Sequence, residues 1–231
     1  MKIIPVIDIL SGQAVSAYRG ERDRYRPLQS GLCRGSDPAD VLRGFLDLYP
    51  FTAIYLADLD TILGRGSNNA VIERLAEDFP SAQLWLDNGN RGSVCNNADR
   101  VHPVLGTETG LSTDSLRTAA NDNPHTLLSL DFSDTGLLGD ATLLEQPQFW
   151  PQRCIIMALH RVGTRAGPDT KLLESVLHRA PGRDLYAAGG IRNERDLQTL
   201  AAAGAAGTLV ATALHHGAIT RAGLEALSND S

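Results

Sequence analysis

The sequence predicts an α/β fold, a (β/α)8 TIM barrel formed by one domain over residues 1–231, with a half-barrel pseudo-repeat. Three observations predict it. Eight short apolar, β-branched runs alternate with amphipathic segments, the pattern of a parallel sheet covered by helices. Eight such units in 231 residues fit a closed barrel. The first run leads into Asp8-Ile9-Leu10-Ser11-Gly12, which is no dinucleotide fingerprint and argues against a doubly wound sheet.

The elements follow in order. Ile3–Ile9 is the first strand. From Ser16 to Asp37 the chain is irregular and carries Arg19, Arg22, Arg24, Arg26 and Arg34. A loop that long after the first strand belongs on the catalytic face of a barrel. Ser36-Asp37-Pro38 sets a cap before a first-turn proline and starts a helix over Pro38–Leu48. Strand Ala53–Asp58, helix Asn69–Phe79 and strands Gln83–Asp87 and Val101–Leu105 come next. Ser112-Thr113-Asp114 opens a helix over Ser112–Ala120. Strands Thr126–Phe132 and Cys154–Leu159 precede a helix over Lys171–His178. Strand Leu185–Ala188, helix Glu194–Ala203 behind Asn193, the Gly204-Ala205-Ala206-Gly207 turn, strand Thr208–Ala211 and helix Arg221–Leu227 complete the set. The half-repeat shows where Val6-Ile7-Asp8-Ile9 parallels Ser129-Leu130-Asp131-Phe132.

Composition excludes several functions. A net charge of −6 offers no basic surface to nucleic acid. No apolar run is long enough to span a membrane. Lys2 and Lys171 are the only lysines; one opens a strand and the other sits on a helix surface, so imine chemistry and pyridoxal phosphate are disfavoured. Cys33, Cys95 and Cys154 match no metal spacing and read as reduced thiols. His160 and the pair His215-His216 have no spaced carboxylate partner, so no metal is expected. The strand begins at the N-terminus with no signal peptide before it. The expected location is therefore the cytoplasm, and the expected form a monomer or small homo-oligomer.

Two segments read as phosphate cradles, because backbone amides exposed at glycine-containing strand ends form anion sites. One joins Gly189-Gly190 to Ala211-Thr212. The other joins Gly89 to Gly106-Thr107, but there Asn88 and Asn90 replace possible glycines. The expectation is one phosphate on the C-terminal half and a different group opposite. Asp8 and Asp131 each interrupt an apolar run near its C-terminal end. Two carboxylates facing one pocket suit proton transfer, one as acid and one as base. Asp58 ends the second strand, with a structural bond to loop backbone as its competing role. Thr164 and Arg19 are further candidates for substrate contact, and Trp85 and Trp150 read as packing residues.

At these residues the chain resembles the HisA/HisF family of histidine biosynthesis nearly end to end. The likeness rests on Ile4-Pro5-Val6-Ile7-Asp8, the Asp58 and Asp131 strand ends, Gly163-Thr164-Arg165-Ala166-Gly167, Gly189-Gly190-Ile191 and Val210-Ala211-Thr212-Ala213-Leu214. The resemblance implies a half-repeat barrel with two phosphate sites. Its isomerase branch converts an aminoaldose to an aminoketose by an Amadori rearrangement without cofactor, which implies acid–base roles for Asp8 and Asp131. The chain departs from the family at Asp87-Asn88-Gly89-Asn90, where the first cradle is glycine-rich, and at Val162, where the isomerase loop has an acid. Near Met157 the isomerases carry a small hydroxyl. The lysine that the cyclase branch has after the first strand is absent, with Ala17, Tyr18 and Arg19 standing there. The segments Arg22–Leu28 and Leu32–Pro38 resemble a divergent HisA-like subgroup of methanogens and methylotrophs. That subgroup implies one-carbon cofactor biosynthesis of the tetrahydromethanopterin or methanofuran type on another phosphorylated metabolite. A non-catalytic ligand-binding barrel is the third reading, and it predicts Asp8 and Asp131 packed away from the pocket.

Overall fold

The computed structural model describes residues 1–91 and 99–229. Its strands are β1 (Lys2–Leu10), β2 (Gln13–Ser16), β3 (Arg26–Pro27), β4 (Ala53–Asp58), β5 (Gln83–Asp87), β6 (Val101–Gly106), β7 (Leu127–Ser133), β8 (Gly136–Leu137), β9 (Arg153–Ala158), β10 (Asp184–Ala188) and β11 (Gly207–Val210). Its helices are α1 (Pro38–Leu48), α2 (Leu59–Ile62), α3 (Asn69–Asp78), α4 (Thr113–Asp122), α5 (Thr142–Glu145), α6 (Thr170–Arg179), α7 (Glu194–Ala202), α8 (Thr212–His215) and α9 (Arg221–Asn229). Among the described residues, β1, β4, β5, β6, β7, β9, β10 and β11 pair in parallel in that order. β11 then pairs back with β1, so the sheet closes into a (β/α)8 barrel. All eight expected strands are present, with ends shifted by a residue or so.

Strand alternation sorts side chains into two apolar layers. Ile7, Ile54, Leu84, Leu128 and Ile156 face out beneath the helices. Ile4, Tyr55, Trp85, Leu127 and Tyr186 fill the inside of the barrel. With both faces covered, the strands read as nearly unbroken apolar runs. At the lower end of the barrel Trp85 and Tyr186 meet edge to face at 4.9 Å, and the Arg153 guanidinium lies 5.5 Å above the Trp85 ring. Trp150 packs in the outer layer and its indole N–H donates to the Leu143 carbonyl at 2.8 Å.

The helix caps have the local chemistry their sequences call for. Asp37 accepts from the Ala39 amide ahead of Pro38, Ser112 from Ser115 and Asn193 from Asp196. Three features differ from expectation. The segment after β1 is not wholly irregular: Ser11 and Gly12, at φ 52° and 77°, turn the chain back into β2, and β3 extends that antiparallel ribbon. Between β7 and β9 the one-turn α5 and a 3-10 turn over Pro147–Phe149 stand where a barrel usually has a full helix. The one-turn α2 and α8 at strand ends are too short to leave a periodic signal. Cys33 and Cys154 are free thiols, and Cys95 lies outside the described residues. Among the described residues no helix is long and apolar enough to cross a membrane.

Candidate active site

The C-terminal ends of the strands surround a cavity of about 400 Å³. Asp8 enters it from β1 and Asp131 from β7, four strands away on the opposite wall. This is the reverse of what a non-catalytic barrel predicts. Asp87, at the end of β5, lines the same cavity, as do Glu108, Tyr25 and Tyr55.

The carboxylates are held differently. Asp131 is braced: Ser129 Oγ donates to its Oδ1 at 2.7 Å, and the Glu108 amide and Thr107 hydroxyl donate to its Oδ2 at 3.1 and 3.3 Å. The Thr107 hydroxyl also accepts from the Asp131 amide at 2.9 Å, which ties the end of β6 to β7. Asp87 accepts from the Tyr55 hydroxyl at 2.9 Å and from the Gly89 amide at 3.0 Å. Asp8 accepts no hydrogen bond from any described residue, so its oxygens are free to meet a ligand.

Loss of water dominates their proton affinity. Burial raises the Asp8 carboxyl to about 7; the Asp87 charge adds to the rise and Arg22 opposes it. Burial and the Asp87 charge raise Asp131 to about 7, against the Ser129 hydrogen bond. Asp87 is raised to about 6 by burial, against the hydrogen bonds from Gly89 and Tyr55. Burial and the Asp8 charge raise the Tyr25 phenol, which stays protonated as an O–H donor. Near neutral pH this set readily holds one carboxyl protonated while another is ionised, the condition for paired acid and base.

The ribbon after β1 covers the mouth. Arg22 pairs with Glu108 at 2.9 Å, linking the loop after β1 to the loop after β6. The Arg22 Nε is buried without a partner among the described residues. Arg19, at φ 51°, donates its amide to Val162 and its Nε to the His160 carbonyl, which fastens the same ribbon to the loop after β9. Arg19 is not among the residues that line the cavity.

The two cradles have different surroundings. Gly189, Gly190, Ala211 and Thr212 all border the cavity, and no side chain among the described residues accepts from their amides. Gly189 and Gly190 lie at φ 103° and 83°; a Cβ on Gly189 would meet the Ala158 carbonyl oxygen at 2.5 Å, and one on Gly190 would strike the Gly167 carbonyl oxygen. Thr164 borders the same end, with its hydroxyl donating to the Arg161 carbonyl at 2.8 Å. Arg192 is engaged by Asp196 at 2.7 Å. At the other cradle Gly89, Gly106 and Thr107 stand behind the carboxylates rather than on the cavity wall. A Cβ on Gly106 would lie 3.1 Å from Asp131 Oδ2 and 3.7 Å from Asp87 Oδ2, so glycine there makes room for both acids.

Asp58 serves structure. Its carboxylate accepts from the Thr61 amide and hydroxyl and from the Asn68 amide and side chain, and it does not line the cavity. His215 and His216 border the cavity, and His215 Nδ1 lies 2.9 Å from Ser30 Oγ. Burial lowers the His215 imidazole to about 4 and keeps it neutral. Among the described residues no group of three His, Cys, Asp or Glu side chains is arranged to hold a metal ion. Sequence reasoning did not single out Asp87, Glu108, Tyr25 or Tyr55. Asp87 had left a signal, an acid at a strand end where glycine was expected.

Comparison with known proteins places these features in context. The model of a family described as histidine biosynthesis protein matches residues 2–136 and 145–220. An uncharacterised protein of Methanocaldococcus jannaschii is 32% identical over 228 residues, which cover 95% of each chain. The 1-(5-phosphoribosyl)-5-((5-phosphoribosylamino)methylideneamino)imidazole-4-carboxamide isomerase of Thermus thermophilus is 29% identical over 238 residues, 95% of this chain and 96% of the relative. The isomerase of that name from Paenarthrobacter aurescens is 26% identical over 249 residues, 95% and 92% of the two chains.

Proposed function

The chain belongs to the histidine biosynthesis protein family, and from that premise we propose that it is an isomerase of a phosphorylated sugar, working by general acid–base catalysis without a cofactor. The observation that carries this reading is the placement of Asp8 and Asp131 on opposite walls of one cavity whose rim includes Gly189-Gly190 and Ala211-Thr212. The substrate phosphate binds at that rim, where the amides have no competing side-chain acceptor and glycine lets an anion approach the backbone. This anchoring sets the sugar between the two aspartates.

For an aminoaldose the chemistry runs as follows. One carboxyl donates a proton to the ring oxygen as the C1–O bond breaks and the nitrogen lone pair forms a C1=N iminium. The other, as carboxylate, removes the proton from C2, whose electrons move towards nitrogen to give an enaminol. Tautomerisation moves the hydroxyl proton off O2 and adds one at C1, leaving the ketone at C2. Atoms and charge balance, and nothing is oxidised overall. Three donors favour the ionised form of Asp131, which assigns it the carboxylate role, and Asp8, with no donor among the described residues, takes the role of the acid.

Genetic complementation tests the reading at its most specific. A strain lacking the histidine isomerase is given this gene or its Asp8→Asn variant. Rescue by wild type and not by the variant is the expected result if the substrate is the one named for the curated relatives. Absence of rescue at good expression moves the assignment to the second reading, a related one-carbon cofactor pathway. That reading is favoured by the side chains at Asp87, Asn88 and Asn90, where the family's first cradle carries glycines.

A further inference from the structure

Resting on the phosphosugar reading above, we propose that the substrate carries one phosphate rather than two, and that the cavity end beside Asp87 and Glu108 receives a protonated amine or a similar N–H donor. Four amides of the cradle where a second phosphate would sit are occupied by the protein's own side chains. Gly89 donates to Asp87 at 3.0 Å, Arg91 to Asn88 at 3.2 Å, Gly106 to Asn90 at 3.0 Å and Glu108 to Asp131 at 3.1 Å. Asn90, held at φ 64°, also donates to the Gly106 carbonyl and the Thr109 hydroxyl, so both backbone groups at the end of β6 are satisfied internally. Among the described residues no comparable side chain covers the amides at Gly190 and Ala211.

Charge points the same way. Asp8, Asp87, Asp131 and Glu108 all border the cavity; of the three arginines that border it too, Arg22 is paired with Glu108, Arg24 with Glu21, and Arg26 donates to the Asp23 and Tyr25 carbonyls. A second phosphate here would bring close to two negative charges against these acids, of which Asp87 and Asp131 are buried, whereas an ammonium or amidinium would be attracted. Asp87 keeps lone pairs free after its two accepted hydrogen bonds, and it lies on the cavity wall. It is a recognition residue, because no step of the proposed isomerisation passes through it.

The test is calorimetric titration of the full chain at pH 7 with glucose 6-phosphate, glucosamine 6-phosphate and glucose 1,6-bisphosphate, on wild type and Asp87→Asn. The expected result is at least tenfold tighter binding of the amine over its hydroxyl counterpart and no gain from the second phosphate. Asp87→Asn is expected to lose the amine preference and keep glucose 6-phosphate affinity within about twofold. Tenfold tighter binding of the bisphosphate, an absent amine preference, or one that survives Asp87→Asn overturns the inference and leaves the phosphosugar reading standing. Failure of all three probes to bind sinks that reading and the inference with it. If Asp87→Asn does not fold, the wild-type comparison alone decides.

Discussion

Asp8 and Asp131 face the same cavity but sit in different hydrogen-bonding environments, and this separates the effects of changing them. Asp131→Asn puts an amide where three donors converge, so activity should fall by 10³-fold or more with some loss of stability. The Asp8 carboxylate has no donor to lose among the described residues. Its folded pKa, about 7, lies above its unfolded value, so the folded state holds a proton that the unfolded state releases. Folding stability from this group is thus greatest below the unfolded pKa and declines as pH rises through 7. Asp8→Asn should abolish turnover yet raise stability at pH 8 by about 1 kcal/mol, a melting-temperature gain of roughly 2–4 °C. A thermal melt at pH 4 and pH 8 checks it: the gain should appear at pH 8 and vanish at pH 4. The two aspartates could be read from sequence because a charged residue interrupting an apolar strand is conspicuous. Asp87 ends its run and so resembles an ordinary strand boundary.

The ribbon formed by β2, β3 and the Arg22–Arg24 turn lies over the mouth of the cavity, held by Arg22 on one side and Arg19 on the other. Arg22 holds down the proton affinity of Asp8 and Asp87. Arg22→Ala should therefore shift the acid-side limb of the kcat/KM pH profile upward; an unchanged limb would remove Arg22 from the electrostatics of the site. At the opposite rim, Gly190→Ala combines a left-handed φ with a collision against the Gly167 carbonyl. It should cost about 2 kcal/mol or more, seen as a lower denaturation midpoint, and weaken phosphate binding. From sequence the loop after β1 showed only that it was long and rich in arginine. Its ribbon follows from the Ser11-Gly12 turn, which is itself secured by Asp60 and Asn68: the Ser11 amide donates to Asp60 at 2.6 Å and the Gly12 amide to Asn68 at 2.9 Å. Those partners lie about fifty residues on, beyond any local signal.

Over the whole molecule, two sets of buried groups oppose each other in pH. Burial lowers His102 and His215 to about 4, so the unfolded chain takes up protons first as pH falls from 6.5 towards 4, and stability declines in that direction. Asp8, Asp87 and Asp131 act the other way, losing stability as pH rises from 4 towards 7. Urea midpoints should therefore change least between pH 4.5 and 6, where the two sets oppose each other, fall between pH 6 and 7, and level off above 7. A His102→Gln variant should tilt the region of least change so that stability rises on acidification. A midpoint that climbs steadily from pH 6.5 to 8 would contradict the burial of the carboxylates.

The sequence by itself determined the barrel, its eight strands and the glycine pair that ends one of them at Gly189-Gly190. These follow from local periodicity, β-branched runs buried on both faces, and glycines at positions that tolerate no side chain. Only the tertiary structure decided which acids share a cavity and which strand-end amides remain free. Barrel closure brings β5, β6 and β7 together, so that Asn90 and Asp131 occupy backbone groups of neighbouring loops. Hydrogen bonds between residues sixteen or more positions apart depend on strand register, and a linear pattern of residue types does not carry register.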